Sequence, residues 1–411
     1  MKTAFKNANL IDGLGSQKEK QAVIIEDKKI LGIGNEDIIP ADIHKIIDLK
    51  DKVLMPGMID THIHVTGGNV LPQYPDYISS RRLNEPLGLH AYRTYKGAKQ
   101  VLLTGVTTIR DVGGREFLDV DLRDAIEEGI ITGPRVIASG LGITPTGGHI
   151  HYRCKEVDGV NEIIKEVRNH VKRGVDCIKI MGLTGGMSSA GQDVGATQFR
   201  FGEVQAAVEE AKRWGKLTAC HAHGIEGIMN AINAGVTTLD HGIYLNDEAA
   251  KLMAEKEIYY VPTLLTHYNK NKLDTEGKLP ETIKQRYREL EDMGIIIPSI
   301  QEIMGHALKH KVKILMGTDC GGNVLSNLGD NAWELVAMVE AGMSPMEAII
   351  SATGRAAEAL RIQKITGSIE AGKYADMLVV GKNPLEDIRA MVYDIEMVIK
   401  EGKIITPEMF I

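Results

Sequence analysis

Cysteine is scarce in this chain of 411 residues: Cys154, Cys177, Cys220 and Cys320 stand far apart, with no Cys-x-x-Cys pair. That excludes a disulfide framework and points to a reducing compartment, so a cytoplasmic protein is expected. Positive charge is short as well. Lys and Arg total 48 against 55 Asp and Glu, a formal charge of −7, which leaves no basic footprint for nucleic acid. No stretch approaches the ~20 apolar residues of a membrane helix, and Met1 to Leu10 hold no run of signal-peptide length. A glycine-rich dinucleotide fingerprint after the first barrel strand, a Walker pattern and a solenoid repeat are all missing. These absences argue against nucleic acid and membrane as partners.

Hydrophobic content of 43% and charged content of 25% suit a large globular core. Residues 1–55 read as short strands broken by turns, among them Ala4–Ile11, Ala22–Glu26 and Lys29–Ile33. The C-terminal stretch 362–411 repeats the pattern in Asp376–Val380, Met391–Tyr393, Met397–Lys400 and Lys403–Ile405. The two ends are expected to build one small β-sandwich domain. Between them, residues 56–361 alternate strand and helix. Strands are expected at Leu54–His62, Val106–Arg110, Arg135–Ala138, Cys177–Ile180, Leu217–His221, Thr237–His241, Tyr259–Pro262 and Lys313–Met316. Such alternation predicts an α/β fold, a (β/α)8 TIM barrel, ahead of a doubly wound sheet. The longest insertions, Val65 to Asn84 and Thr266 to Thr282, follow the first and seventh strands, where a barrel builds its active face.

The run Met55-Pro-Gly-Met-Ile-Asp-Thr-His-Ile-His64 carries the chemistry. Residues i and i+2 of a strand share a face, so His62 and His64 project together and can grip one metal. Other strand ends add Lys179 (Cys-Ile-Lys-Ile), His221 (Cys-His-Ala-His), His241 (Leu-Asp-His-Gly) and Asp319 (Gly-Thr-Asp-Cys). Each has a plain structural explanation on its own. Their repetition at strand end after strand end argues for a shared site.

With Thr146-Gly-Gly-His149, Ile178-Lys-Ile180, His221-Ala-His-Gly224 and His241-Gly242, the chain resembles the amidohydrolase superfamily. It is most similar to the imidazolonepropionase-related branch of binuclear metal hydrolases, which includes Xaa-Pro and Xaa-Arg dipeptidases or carboxypeptidases. The resemblance implies two divalent metals, zinc by default. His62, His64 and Asp319 would hold one, His221 and His241 the other, with a carboxylated Lys179 between them. It implies hydrolysis of an amide C–N bond by water activated at the metals, with Asp319 as general base. A dipeptide or N-acyl amino acid is the expected substrate; a carbamate, phenylurea, lactone or organophosphate ester is the alternative, and a non-catalytic scaffold a further one. Homo-oligomers are common in such a family.

Substrate contacts are expected from His149, His151 and His223, with Arg153 and Arg110 as anion partners and Tyr244 as an oxyanion donor. His223 replaces a tyrosine of the dipeptidase relatives. His267 either lines the site or is solvated. Cys220 and Cys320 adjoin proposed ligands but should face the packing side of their strands. Gly185-Gly186 and Gly321-Gly322 read as tight turns.

Overall fold

The computed structural model describes residues 1–67, 85–183 and 193–410. The insertion expected at Val65 to Asn84 falls outside them from residue 68 onward, and so does Gly185-Gly186.

Strands β1 (Lys2–Ile11), β2 (Gln17–Glu26), β3 (Lys29–Gly34), β4 (Lys45–Asp48) and β5 (Val53–Pro56) come from the N-terminus. The middle of the chain supplies β6 (Met58–Ile63), β7 (Val106–Asp111), β8 (Arg135–Ala138), β9 (Gly142–Thr144) and β10 (Cys154–Glu156). It continues with β11 (Cys177–Ile180), β12 (Leu217–Ala222), β13 (Thr238–His241) and β14 (Tyr259–Val261). The last strands are β15 (Met377–Val380), β16 (Ile395–Lys400) and β17 (Lys403–Ile405).

One sheet unites both ends in the order β17-β16-β15-β5-β1-β2-β3, with β4 beside β1. Within it β5 and β15 run antiparallel, Leu54 opposite Val379 and Met55 opposite Leu378. Alternation along these strands divides two cores. Leu54, Met377 and Val379 pack with Phe5, Val23 and Ile25, whereas Val53, Met55, Leu378 and Val380 join the main apolar cluster. The terminal sheet is therefore anchored on the body that carries the site.

That body contains two sheets of parallel strands, β6-β7-β8 and β10-β9-β11-β12-β13-β14. Helices intervene, including Val160–Lys172, Phe201–Arg213, Ile225–Ala234 and Asp247–Glu255. Their helical spacing is visible in Ile163, Val167 and His170, which turn one buried face inward.

The strand expected over Lys313–Met316 is reduced to isolated parallel bridges, Ile314 to Tyr260 and, further on, Cys320 to Ile63. The segment changes partners midway. Leu315 N donates to Tyr260 O at 2.8 Å, but Met316 O accepts from Thr61 N at 3.0 Å, so neither register lasts. Met391–Tyr393 is also not a strand. It lies in the helical turn Ala390–Tyr393, opened by Asp387, whose carboxylate accepts from Arg389 N at 3.0 Å. The insertion at Thr266–Thr282 is largely helical, Leu265–Thr275 and then Glu281–Asp292. A buried carboxylate from far along the chain starts the first of these: Glu334 accepts from Leu264 N at 2.9 Å and Leu265 N at 2.6 Å.

Candidate metal centre

His62, on β6, and His64, one residue past its end, point to the same place and are buried. Asp319 meets them there, its Oδ1 lying 3.2 Å from His64 Nε2 and 3.5 Å from His62 Nε2. One donor atom from each of the three lies within 4.8 Å of the others, a spacing that suits a single cation. Asp319 reaches this position through a left-handed backbone, φ 56°. Strain of that kind persists only where neighbours impose it. Here Ser326 Oγ donates to Asp319 O at 2.9 Å and Asn323 Nδ2 to its Oδ2 at 2.9 Å. Gly322 is needed as well, since a Cβ there would sit 2.4 Å from Asp319 Oδ1. Beneath them the fully buried Asp60 accepts from Thr318 Oγ1 at 2.6 Å and Asn331 Nδ2 at 2.7 Å, tying β6 to the Asp319 segment.

A second group abuts the first. His221 and His241, from β12 and β13, have ring centroids 4.5 Å apart, and His241 lies 4.8 Å from His62. His241 is also left-handed, φ 71°, and its Nδ1 lies 2.8 Å from Thr263 Oγ1. Lys179 is wholly buried and bonds the carboxylate of Asp240. The same oxygen, Asp240 Oδ2, stands 3.0 Å from His62 Nδ1, a close contact without hydrogen-bond alignment. Lys179, His62 and Asp240 thereby join the two groups.

Burial holds the imidazoles neutral. His64, His149 and His267 are each lowered to about 4, burial being the first cause of each. His221, His223 and His241 are held well below the usual range, by burial first and then by other imidazoles. Neutral imidazole is the form that binds a metal. Among the described residues, His221 Nε2, His64 Nδ1 and His62 Nε2 are buried nitrogens with no hydrogen-bond partner. Buried polar atoms are seldom left so. The donor set therefore fits divalent cations.

The metal-free protein is accordingly expected to lose stability as pH falls from about 6.5 toward about 4, because the unfolded chain takes up protons that these six rings refuse. Buried carboxyls act in the opposite sense. Glu334, raised to about 8 by burial, keeps a proton that the unfolded chain has released. The imidazoles dominate below pH ~6.5, where ordinary histidines titrate. Melting curves of chelator-treated protein at stepped pH check this; a flat or rising melting temperature on acidification would contradict it.

The other residues singled out from the sequence separate clearly. His149 stacks on His221 at 4.4 Å, and His223 lies 4.6 Å from His221 and 5.0 Å from His241, so both line the site. His267 is buried rather than solvated, close enough for its charge to bear on His223 and to feel Asp319. Arg153 is half-buried, and its charge reaches His64 and His90. His151 is exposed, its Nδ1 3.2 Å from Gly148 O, and is not brought to the cluster.

Arg110 needs correction. Arg110 is fully buried, donating from Nε to Thr61 O and from Nη2 to Thr238 Oγ1 at 3.1 Å, with Asp240 3.8 Å away. Its anion is Asp240, not a substrate. Tyr244 donates its hydroxyl proton to Ile296 O at 3.1 Å. Cys220 and Cys320 lie in the apolar core, as alternation predicts. Asp240 and Asn323 escaped the sequence reading.

The model of the amidohydrolase family matches residues 53–405, and the chain belongs to that family. It is a hydrolase acting on amide bonds. Ochratoxinase of Aspergillus niger is 32% identical over 409 residues, covering 92% of this chain and 81% of that protein. Among solved structures, a Xaa-Pro dipeptidase with bound methionine in its active site is similar at 34% identity and TM-score 0.84, covering 98% of this chain and 100% of that one. A prolidase complexed with N-methylphosphonate-L-proline is similar at 28% identity and TM-score 0.84, over 99% and 100%. Among the described residues no helix is long and apolar enough to cross a membrane.

Proposed function

We propose that this protein is a binuclear metal-dependent amidohydrolase that cleaves the amide bond of a dipeptide or an N-acyl amino acid. The observation that carries the reading is the meeting of His62, His64, Lys179, His221, His241 and Asp319 in one buried cluster with unpartnered imidazole nitrogens. In this reading the two parallel sheets and the Lys313–Met316 segment form the (β/α)8 barrel of residues 56–361. Residues 1–55 and 362–411 form a β-sandwich domain. The Xaa-Pro dipeptidase and the prolidase among the similar structures support a dipeptide as substrate.

His62, His64 and Asp319 would hold one ion, and His221 and His241 a second, with Lys179, carboxylated on Nζ, between them. Divalent ions there, zinc first for so histidine-rich a set, would acidify water and polarise the scissile carbonyl. Asp319 takes the proton of the attacking water and returns it to the departing amine. Asn323 keeps that carboxylate aimed. His149, His223 and His267 wall the pocket. Arg153, whose guanidinium has no hydrogen bond or ion pair among the described residues, anchors the substrate carboxylate.

Arg153→Ala is expected to raise KM about tenfold or more while kcat changes little, as loss of uniform binding requires. Unchanged KM on the best substrate would remove Arg153 from the site. The reading as a whole is tested by metal analysis by mass of the purified protein, coupled to a screen of dipeptides and N-acyl amino acids. Near two ions per chain with release of a C-terminal amino acid supports it. Two ions without amide cleavage would turn the assignment toward carbamates, ureas and esters. No metal after refolding with zinc and bicarbonate would overturn it.

A further inference from the structure

Asp240, outside the proposed ligand set, touches two of its members, Lys179 and His62. It lies on β13 beside His221 of β12, in register with it, and is entirely buried. Its Oδ2 takes Lys179 Nζ and lies 3.0 Å from His62 Nδ1. Its Oδ1 accepts from Thr238 Oγ1 at 2.9 Å and faces Arg110 Nη2 at 3.8 Å. One carboxylate oxygen therefore contacts both a ligand of the first group and the lysine placed between the groups. The other oxygen is steadied by a hydroxyl that in turn receives Arg110.

We propose that Asp240 is a positioning residue that couples the two metal positions, holding His62 with Nε2 toward Asp319 and Lys179 with Nζ between the groups. The physical ground is the fixed geometry of the imidazole: a carboxylate at Nδ1 leaves Nε2 as the free donor, and outer carboxylates of this kind set ligand orientation and basicity. Arg110 and Thr238 both meet the Oδ1 side of Asp240. They keep its carboxylate from rotating and offset the charge it brings into a dry interior. The inference rests on the proposed binuclear site and adds that the two positions load together.

The test is metal affinity, read without any substrate. Wild-type protein, Asp240→Asn and Thr238→Val are stripped, equilibrated against buffered zinc and analysed by mass; thermal melts of the stripped proteins run alongside. Asp240→Asn is expected to weaken binding at both positions by about 10–100-fold. Thr238→Val, which removes the hydroxyl linking Oδ1 to Arg110 Nη2, should weaken both in the same direction by less. Should Asp240→Asn fail to fold, Thr238→Val decides alone. A merely structural Asp240 would lower the melting temperature of stripped protein and leave zinc affinity at the wild-type value, and that result overturns the proposal. Loss at one position with the other intact overturns the coupling. Wild-type protein that binds two ions while Asp240→Asn binds them equally well sinks this inference and spares the proposed function; wild-type protein that binds none sinks both.

Discussion

Asp319→Asn is expected to lower kcat by about a thousandfold or more, within the range that loss of a general base costs. The amide keeps the shape of the carboxylate and can still take the hydrogen bond from Asn323 Nδ2. It cannot accept the water's proton. Burial alone would raise the Asp319 carboxyl, but His62 and His64 more than offset this and hold it well below the usual carboxylate range. It is therefore ionised, and ready to act as a base, near neutral pH. Because Asp319 is also a proposed ligand, part of the loss could come from missing metal. Activity is therefore measured at saturating zinc, with bound metal determined on the same sample. A variant with two ions and a thousandfold deficit places the defect in proton transfer. A variant with two ions and near-native turnover would move the base elsewhere, to His149 or His267, buried rings outside the ligand set that feel the charge of Asp319.

How much of this site could be read from the chain depends on how each residue arrives there. His62 and His64 were legible because a strand's period of two is enough to place them. Lys179, His221, His241 and Asp319 were legible as polar residues ending apolar runs. Asp240 was not. It precedes His241 on the same strand, and simple alternation sends neighbours to opposite faces. The left-handed turn at His241, φ 71°, breaks the alternation and lets both residues approach the cluster. Asp319, φ 56°, turns in by the same device. Backbone conformations of this sort are imposed by tertiary contacts such as Ser326 to Asp319 O, which no local pattern shows.

Arg110 illustrates the converse error. Its position near the end of a strand suggested a substrate contact, but β7 runs on to Asp111 and Arg110 stays within it, against Thr61 and Thr238. The helix Leu265–Thr275 was read as loop because its cap, Glu334, lies about seventy residues away in sequence. Local signals carried the periodic elements and failed where the partner was distant.

Lys179→Ala is expected to be the more severe of the two changes, abolishing bound metal at one position at least and lowering turnover below that of Asp319→Asn. Two losses combine. In the metal-loaded protein the proposed carboxylated amine disappears from between the metal groups; in the stripped protein, where the lysine is a free ammonium, Asp240 is left as a buried carboxylate with Arg110 3.8 Å off. Stranding one partner of a buried pair costs about 3–5 kcal/mol, so the variant should also melt earlier. Lys179→Arg separates the two effects. Guanidinium still answers the charge of Asp240, but its nitrogens stay protonated and cannot be carboxylated by CO₂. If Lys179→Arg recovers most of the melting temperature and none of the metal, the lysine acts through its amine chemistry. If either variant keeps two ions and full turnover, the pairing with Asp240 is the whole of its role, and the binuclear reading fails with it.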